Sequence, residues 1–131
     1  MLLVPSAIRA RLLANGAVAI ETDHVPVVKL FNPCGAATWL FTEMGSDGDT
    51  LFGLADLGFG CPELGYASLA EIAAVRLPFG LSIERDLHFE GRFPLSIYAE
   101  AARRLGRITE DCTLLTAASR KANSDLPPTG G

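Results

Sequence analysis

Cysteine and histidine are scarce in this sequence. Three cysteines, Cys34, Cys61 and Cys112, and two histidines occur among 131 residues. The cysteines are widely spaced, so they provide neither a paired disulfide framework nor a C-x-x-C metal knuckle. The sequence therefore predicts a reducing compartment, and we expect a cytoplasmic protein that needs no cofactor.

Long apolar runs are also missing. No run approaches the roughly 18 residues that a transmembrane helix requires. The first residues, MLLVPSAIRARLL, hold too short an apolar stretch for a signal peptide and an early proline. We expect no membrane partner.

Positive charge is in deficit, with 11 Lys and Arg against 15 Asp and Glu and a net charge of −4. Proteins that bind nucleic acid without sequence preference neutralise phosphates with Lys and Arg. The balance therefore argues against a nucleic-acid partner. A hydrophobic fraction of 49% with 20% charged residues instead indicates a compact folded domain.

Catalytic signatures are absent as well. The sequence contains no G-x-S-x-G elbow, no H-E-x-x-H pair and no G-x-x-x-x-G-K-[ST] phosphate loop. These absences favour a non-enzymatic protein over an enzyme, although they leave the question open.

The most informative stretch that is present is residues 51–66, LFGLADLGFGCPELGY. Residues 51–57 predict a buried strand, and the glycines and proline after it predict a turn that leads into a helix. Alternation places Phe52, Leu54 and Asp56 on one face of the strand. The carboxylate of Asp56 should therefore lie at an exposed strand end or be paired.

Periodicity elsewhere predicts a helix over residues 7–14, a hairpin of strands 27–31 and 38–44, and a meander that continues into strand 51–57. Residues 17–20 fit either a strand or packed coil. A capping box, Ser68 to Glu71, opens a helix over 69–76. A strand over 83–89 and a helix from Ser96 follow.

These elements predict an α+β fold in a single domain over residues 1–115. We expect a mainly antiparallel sheet of about four strands with about three helices packed on it. Residues 116–131 are small and polar, and we expect a disordered tail there.

Each predicted strand carries one ionisable residue among apolar neighbours: Lys29, Glu43, Asp56 or Arg85. Two interpretations remain open. The charges could be paired with one another at the sheet edges, or they could form the charged floor of a ligand or peptide cleft.

Two further sets are candidate sites. Asp23, His24, Asp86 and His88 could hold a divalent metal, or they could belong to exposed polar faces. Arg103, Arg104 and Arg107 could contact phosphate or an acidic partner, or they could form a solvated helix face near a helix C-terminus.

Several motifs together resemble the DUF2958 family of uncharacterised bacterial proteins over roughly residues 2–108. They are Asp23-His24 with Pro26 and Lys29, Trp39, Asp56-Leu57-Gly58, Pro62-Glu63-Leu64-Gly65 and Glu84-Arg85-Asp86. The resemblance implies small accessory proteins carried by plasmids, conjugative elements and phages. It identifies no active site.

From the residues and this resemblance we expect a non-enzymatic protein-interaction module of a mobile genetic element. Its expected role is action against host defence, of the antirestriction or anti-CRISPR type, on a host or element-encoded protein. The predicted partner-binding residues are Glu43, Asp56, Glu63 and Arg85. The alternatives are a small metal-dependent hydrolase or nuclease, and a nucleic-acid-contacting accessory protein.

Overall fold

An antiparallel sheet with helices on both faces forms the centre of the structure, a computed structural model that describes residues 2–124. The strands are β1 (Val28–Phe31), β2 (Thr38–Met44), β3 (Thr50–Asp56), β4 (Glu63–Ser68) and β5 (Glu84–Arg85). The α-helices are α1 (Ser6–Gly16), α2 (Leu69–Ala73), α3 (Leu95–Leu105) and α4 (Cys112–Ser124), and a short 3-10 turn spans Pro78–Gly80.

The strand order is β4-β3-β2-β1-β5. The predicted α+β class is therefore confirmed, with one strand and one α-helix more than expected. The predicted hairpin and three-stranded meander are also confirmed, because β1, β2 and β3 pair antiparallel in sequence order. Residues 17–20, which the sequence left open, are not in a strand.

Two hydrophobic cores lie on opposite faces of the sheet. Phe41 and Leu51 pack on one face with Leu12 of α1 and Ile72 of α2. Leu40 and Leu54 are buried on the other face with residues of α3 and α4, among them Tyr98, Ala102 and Leu115. The middle of the sheet is thus covered on both sides.

A β-bulge interrupts the pairing of β2 with β3. The register shifts between Phe41 and Glu43, so that Glu43 lies opposite Phe52 while Leu40 lies opposite Leu54. The extra residue reverses the alternation, and Glu43 joins the face of Leu40 instead of the face of Phe41. Strict alternation along residues 38–44 predicts Glu43 on the face of Trp39 and Phe41, and the bulge makes that prediction wrong.

Strand β4 is the strand that the sequence did not predict. The turn after β3 leads into this strand before the next helix begins. Ser68 then caps α2 as expected, and its hydroxyl accepts a hydrogen bond from the Glu71 N–H at 3.2 Å. The helix ends at Ala73, three residues before the predicted end at 76.

Strand β5 is much shorter than the predicted strand over 83–89. It contains only Glu84 and Arg85, because the chain turns at Asp86, whose carboxylate accepts the His88 N–H at 2.8 Å. Side-chain-capped turns of this kind compete with strand pairing.

Helix α4 corrects the prediction of a disordered tail. Residues 116–124 continue a helix that begins at Cys112, and its start is capped by Asp111, which accepts the N–H groups of Thr113 and Leu114. Leu115 and Ala118 are buried against α3. Residues 125–131 lie outside the described part of the chain.

If α4 belongs to the fold, truncation of its buried side chain should destabilise the protein. Leu115 is 1% exposed, whereas its neighbour Leu114 is 42% exposed. We expect Leu115→Ala to lower the free energy of unfolding by about 2–4 kcal/mol, because it opens a cavity. Leu114→Ala should change it by less than about 0.5 kcal/mol. Urea unfolding measures both, and equal effects of the two variants would contradict the placement of α4.

Candidate functional site

A groove runs along the β4 end of the sheet, on the face that carries Leu54. Two adjoining depressions of about 380 and 200 Å³ form it, since Glu21, Glu43 and Phe52 line both. We call it the β4 groove. Its principal lining residues are Val18, Ile20, Glu21, Glu43, Phe52, Leu64 and Tyr66.

One row of side chains crosses the floor of the β4 groove. Glu43 on β2 lies opposite Phe52 on β3, which in turn lies opposite Tyr66 on β4. The Phe52 and Tyr66 rings are 5.1 Å apart between centroids and tilted by 54°. The row therefore runs from a carboxylate through two neighbouring aromatic rings, tilted relative to each other, to the edge of the sheet.

The segment over residues 17–24 forms the opposite wall and is fixed at both ends. At its start, the Asn15 side-chain amide donates to Thr42 O at 2.9 Å. At its end, Asp23 accepts the Ser96 N–H at 3.0 Å and the Ser96 hydroxyl, and His24 O accepts the Leu95 N–H at 2.9 Å. These bonds tie the wall to β2 and to the first turn of α3, so the groove is preformed.

Two of the three carboxylates that line the groove, Glu21 and Glu43, are available to a ligand. In the described residues, the side chains of Glu21 and Glu43 make no ion pair or hydrogen bond, and no Lys or Arg lines either depression. The other two acidic or basic side chains that line the groove are Asp23, which is bonded to Ser96, and His24. The groove is thus acidic as well as apolar.

The comparison with protein families identifies the chain. The family described as "Protein of unknown function (DUF2958)" matches residues 3–109. The chain belongs to the DUF2958 family. Comparisons with curated proteins and with solved structures give no match. The match contains all five strands and both walls of the groove, whereas α4 lies beyond it.

This DUF2958 protein does not bring the four predicted partner-binding residues together. Glu43 alone lines the β4 groove. Glu63 is exposed at the start of β4, where it pairs with Ala55 and so belongs to the other face of the sheet. Arg85 lies on β5, at the far edge, and its guanidinium donates to Leu2 O and Leu3 O at 3.2 and 3.1 Å.

Asp56 has an internal role in the DUF2958 fold. It is 5% exposed, and its two carboxylate oxygens accept the N–H groups of Gly58 at 2.9 Å and Ile108 at 3.1 Å. The carboxylate therefore joins the turn before β4 to the segment before α4. Asp56 is therefore not part of the candidate binding surface. The sequence left two alternatives for this residue, an exposed strand end or a paired carboxylate, and the structure agrees with the second.

Lys29 is paired too, although not with the predicted partners. Its ammonium lies 2.5 Å from Glu110 and 3.4 Å from Asp86. Burial lowers the pKa of Lys29, but the hydrogen bond to Glu110 and the charges of Glu110 and Asp86 outweigh it, so the net pKa is raised. Of the four strand-borne charges, only Lys29 is in an ion pair within residues 2–124, since Asp56 and Arg85 bond to backbone groups. Glu43 makes no such contact in the same range, so the four charges form no common network.

The four metal candidates of this DUF2958 chain divide into two pairs. Asp23 and His24 lie at the groove, and Asp86 and His88 lie in the turn after β5. Asp23 is bonded to Ser96, and Asp86 to Lys29 and the His88 N–H. Within residues 2–124, no group of three or more His, Cys, Asp or Glu side chains could hold a metal ion.

The arginine candidates lie at the end of α3. Arg103 and Arg104 form ion pairs with Glu100 at 2.7 and 3.1 Å, and Arg107 is exposed beyond Gly106, which ends the helix. Two of the three cations are therefore partly neutralised.

None of the helices in residues 2–124 has the length and apolar character needed to cross a membrane.

Sequence reasoning missed most of the β4 groove, including Glu21, Phe52, Leu64 and Tyr66. A signal for the last two exists in ELGYAS, where Leu64 and Tyr66 alternate with small or charged residues as in a strand with one apolar face. The glycines and the proline of the preceding turn obscured it.

The role of Asp56 can be tested by substitution. Asp56→Ala leaves two N–H groups without their acceptor, and we expect it to lower the free energy of unfolding by about 2–4 kcal/mol. Asp56→Asn retains one acceptor oxygen and should cost about half as much. Urea unfolding of both variants measures this. An Asp56→Ala protein as stable as the wild type would show that the carboxylate does not hold these segments.

Proposed function

We propose that this protein is a non-enzymatic binding module and that its protein partner occupies the β4 groove. The observation that carries the proposal is the exposure of four large apolar side chains around one groove: Val18 is 48% exposed, Ile20 78%, Leu64 47% and Tyr66 76%. An apolar cluster of this kind at the rim of a groove is typical of an interaction surface.

The chemistry and the rigidity of the groove support this function. Exposed aromatic residues such as Tyr66 are enriched among the residues that dominate binding energy at interfaces. The wall of residues 17–24 is held by Asn15, Asp23 and His24, so a partner would not have to order it. A preformed groove lowers the entropic cost of association.

The bonding of Asp23 also supports binding over metal-assisted hydrolysis. Asp23 is the carboxylate next to His24 in the chain, and both its oxygens are bonded to Ser96. These bonds hold Asp23 in the wall of the groove, and within residues 2–124 no third His, Cys, Asp or Glu side chain joins Asp23 and His24 in a group that could hold a metal ion.

For the class of partner, the support is the family resemblance alone. We propose that the protein acts in the cytoplasm for a mobile genetic element and binds a host or element-encoded protein. A protein of host defence is the first class to test, because antirestriction or anti-CRISPR action needs only binding.

The proposal predicts that polar substitutions in the groove abolish partner recovery. We expect the double variant Leu64→Ser, Tyr66→Ser to reduce recovery of the partner by roughly tenfold or more in affinity purification with mass spectrometry. Both side chains are exposed, so the variant should remain folded, which urea unfolding verifies.

The matched control is the double variant Phe79→Ser, Leu87→Ser, which removes two exposed apolar side chains outside the groove. It should recover the partner as well as the wild type does. Recovery that is lost in the control and retained in the groove variant would place the binding surface elsewhere.

A further inference from the structure

We infer that the partner contributes an extended segment that adds to β4 as a sixth strand of the sheet. We infer further that this segment carries an Arg or Lys opposite Tyr66. The inference rests on the proposed function, because it names the partner chemistry that the β4 groove would recognise. Hydrogen bonds, the edge of the sheet and the charges of the groove each support it.

The direction of the backbone groups of β4 follows from the turns and the register. Thr50 O accepts the Gly45 N–H on the β2 side, and Asp49 O accepts the Leu69 N–H on the β4 side. These directions alternate along antiparallel strands. By this alternation, the N–H and C=O of Gly53 point to β4. Gly53 is paired with Gly65, so the N–H and C=O of Gly65 point to β3, and those of Leu64 and Tyr66 point outward.

These outward groups are unpaired in the described part of the chain. Backbone hydrogen bonds outside the regular elements include none from Leu64 or Tyr66. Strand β4 is an edge strand, and its six residues, ELGYAS, include no proline, lysine or arginine of the kind that protects an edge against pairing. The opposite edge, β5, has only two residues. Strand addition is therefore available at β4.

The side chains define the chemistry of the added strand. A residue paired with Tyr66 would extend the row of Glu43, Phe52 and Tyr66 by one place on the same face. Strands are about 4.8 Å apart, so the added strand would lie roughly 14 Å from β2. Only a long side chain could span that gap toward Glu43, and an Arg or Lys could lie across the exposed Tyr66 ring as it does so.

The charges also distinguish a basic segment from a second copy of this chain. Glu21 and Glu43 have no cationic partner in residues 2–124, so a basic side chain would be attracted into the groove. A second copy would bring the same carboxylates and a further net charge of −4. Like charges across an interface oppose association. The groove thus favours a basic partner segment.

The first test is a selection, from a library of short random displayed peptides, of those that bind the intact protein. We expect enrichment of peptides in which β-branched or aromatic residues alternate with others and one Arg or Lys is retained. The double variant Glu21→Gln, Glu43→Gln should bind the enriched peptides roughly tenfold more weakly. Glu84→Gln, which removes an exposed carboxylate on β5, should bind them as the wild type does.

The second test reads the backbone directly by amide hydrogen exchange. An added strand should slow exchange at Leu64 and Tyr66, whose N–H groups point outward, and leave Gly65 as slow as it is in the free protein. Leu64→Pro removes one outward donor and should weaken binding more than Leu64→Thr, which keeps it.

Several results would overturn the inference. In the peptide selection, these are enrichment of acidic or helical peptides, or the absence of enriched peptides. In the exchange experiment, it is exchange at Leu64 and Tyr66 that a bound peptide leaves unchanged. Concentration-dependent dimerisation that Leu64→Pro abolishes would also overturn it. Each differs from failure of the proposed function, which affinity purification with the Leu64→Ser, Tyr66→Ser variant decides. If a full-length partner is lost in that variant, and its binding to the wild type leaves exchange at Leu64 and Tyr66 unchanged, the groove remains the binding site and strand addition is rejected.

Discussion

Burial of both faces of the β2–β3 pair is the constraint on which the structure depends. Leu40 and Leu54 are buried under α3 and α4 on one side, and Phe41 and Leu51 under α1 and α2 on the other. A Cβ at Gly53 would overlap the carbonyl oxygen of Leu40, so glycine permits the close approach of these strands. The helices cover the centre, and β4 remains at an edge where one face is open.

Two local features shape the open region. The β-bulge in β2 turns Glu43 toward the groove, where it shares a row with Phe52 and Tyr66. Asp56 bonds to Gly58 at the beginning of the turn that precedes β4, and to Ile108 ahead of α4. A single buried carboxylate therefore links the turn before the edge strand to the segment between α3 and α4. The two carboxylates thus differ in their surroundings: Glu43 is accessible to a ligand, whereas Asp56 is enclosed.

The sequence predicted the parts of the fold whose signals are local. Turn residues between alternating apolar runs identified β1, β2 and β3, and Ser68 identified the start of α2. The bulge at residues 41–43 could not be predicted, because no residue there marks an insertion into the alternation. Helix α4 was missed because its buried side is formed by Leu115 and small alanines. In a polar segment, these residues do not produce a clear helical pattern of large apolar side chains.

The candidate site was harder to predict than the fold, because its residues come from separate parts of the chain. Ile20 and Glu21 lie in an irregular segment, and the bonds of Asn15, Asp23 and His24 place that segment against β2 and α3. Charge at predicted strands pointed to Glu43, but it pointed equally to Asp56 and Arg85, which serve internal contacts. Pattern alone does not distinguish a carboxylate that binds a partner from one that binds the backbone.

Site-specific photo-crosslinking in the host cell shows whether a protein partner contacts the β4 groove. A benzophenone amino acid replaces Tyr66 in one protein and Phe79 in another; both positions are exposed, and only the first lies in the groove. We expect a discrete crosslinked partner from position 66 and none from position 79. Crosslinks from position 79 without any from position 66 would show that the partner does not bind in the groove.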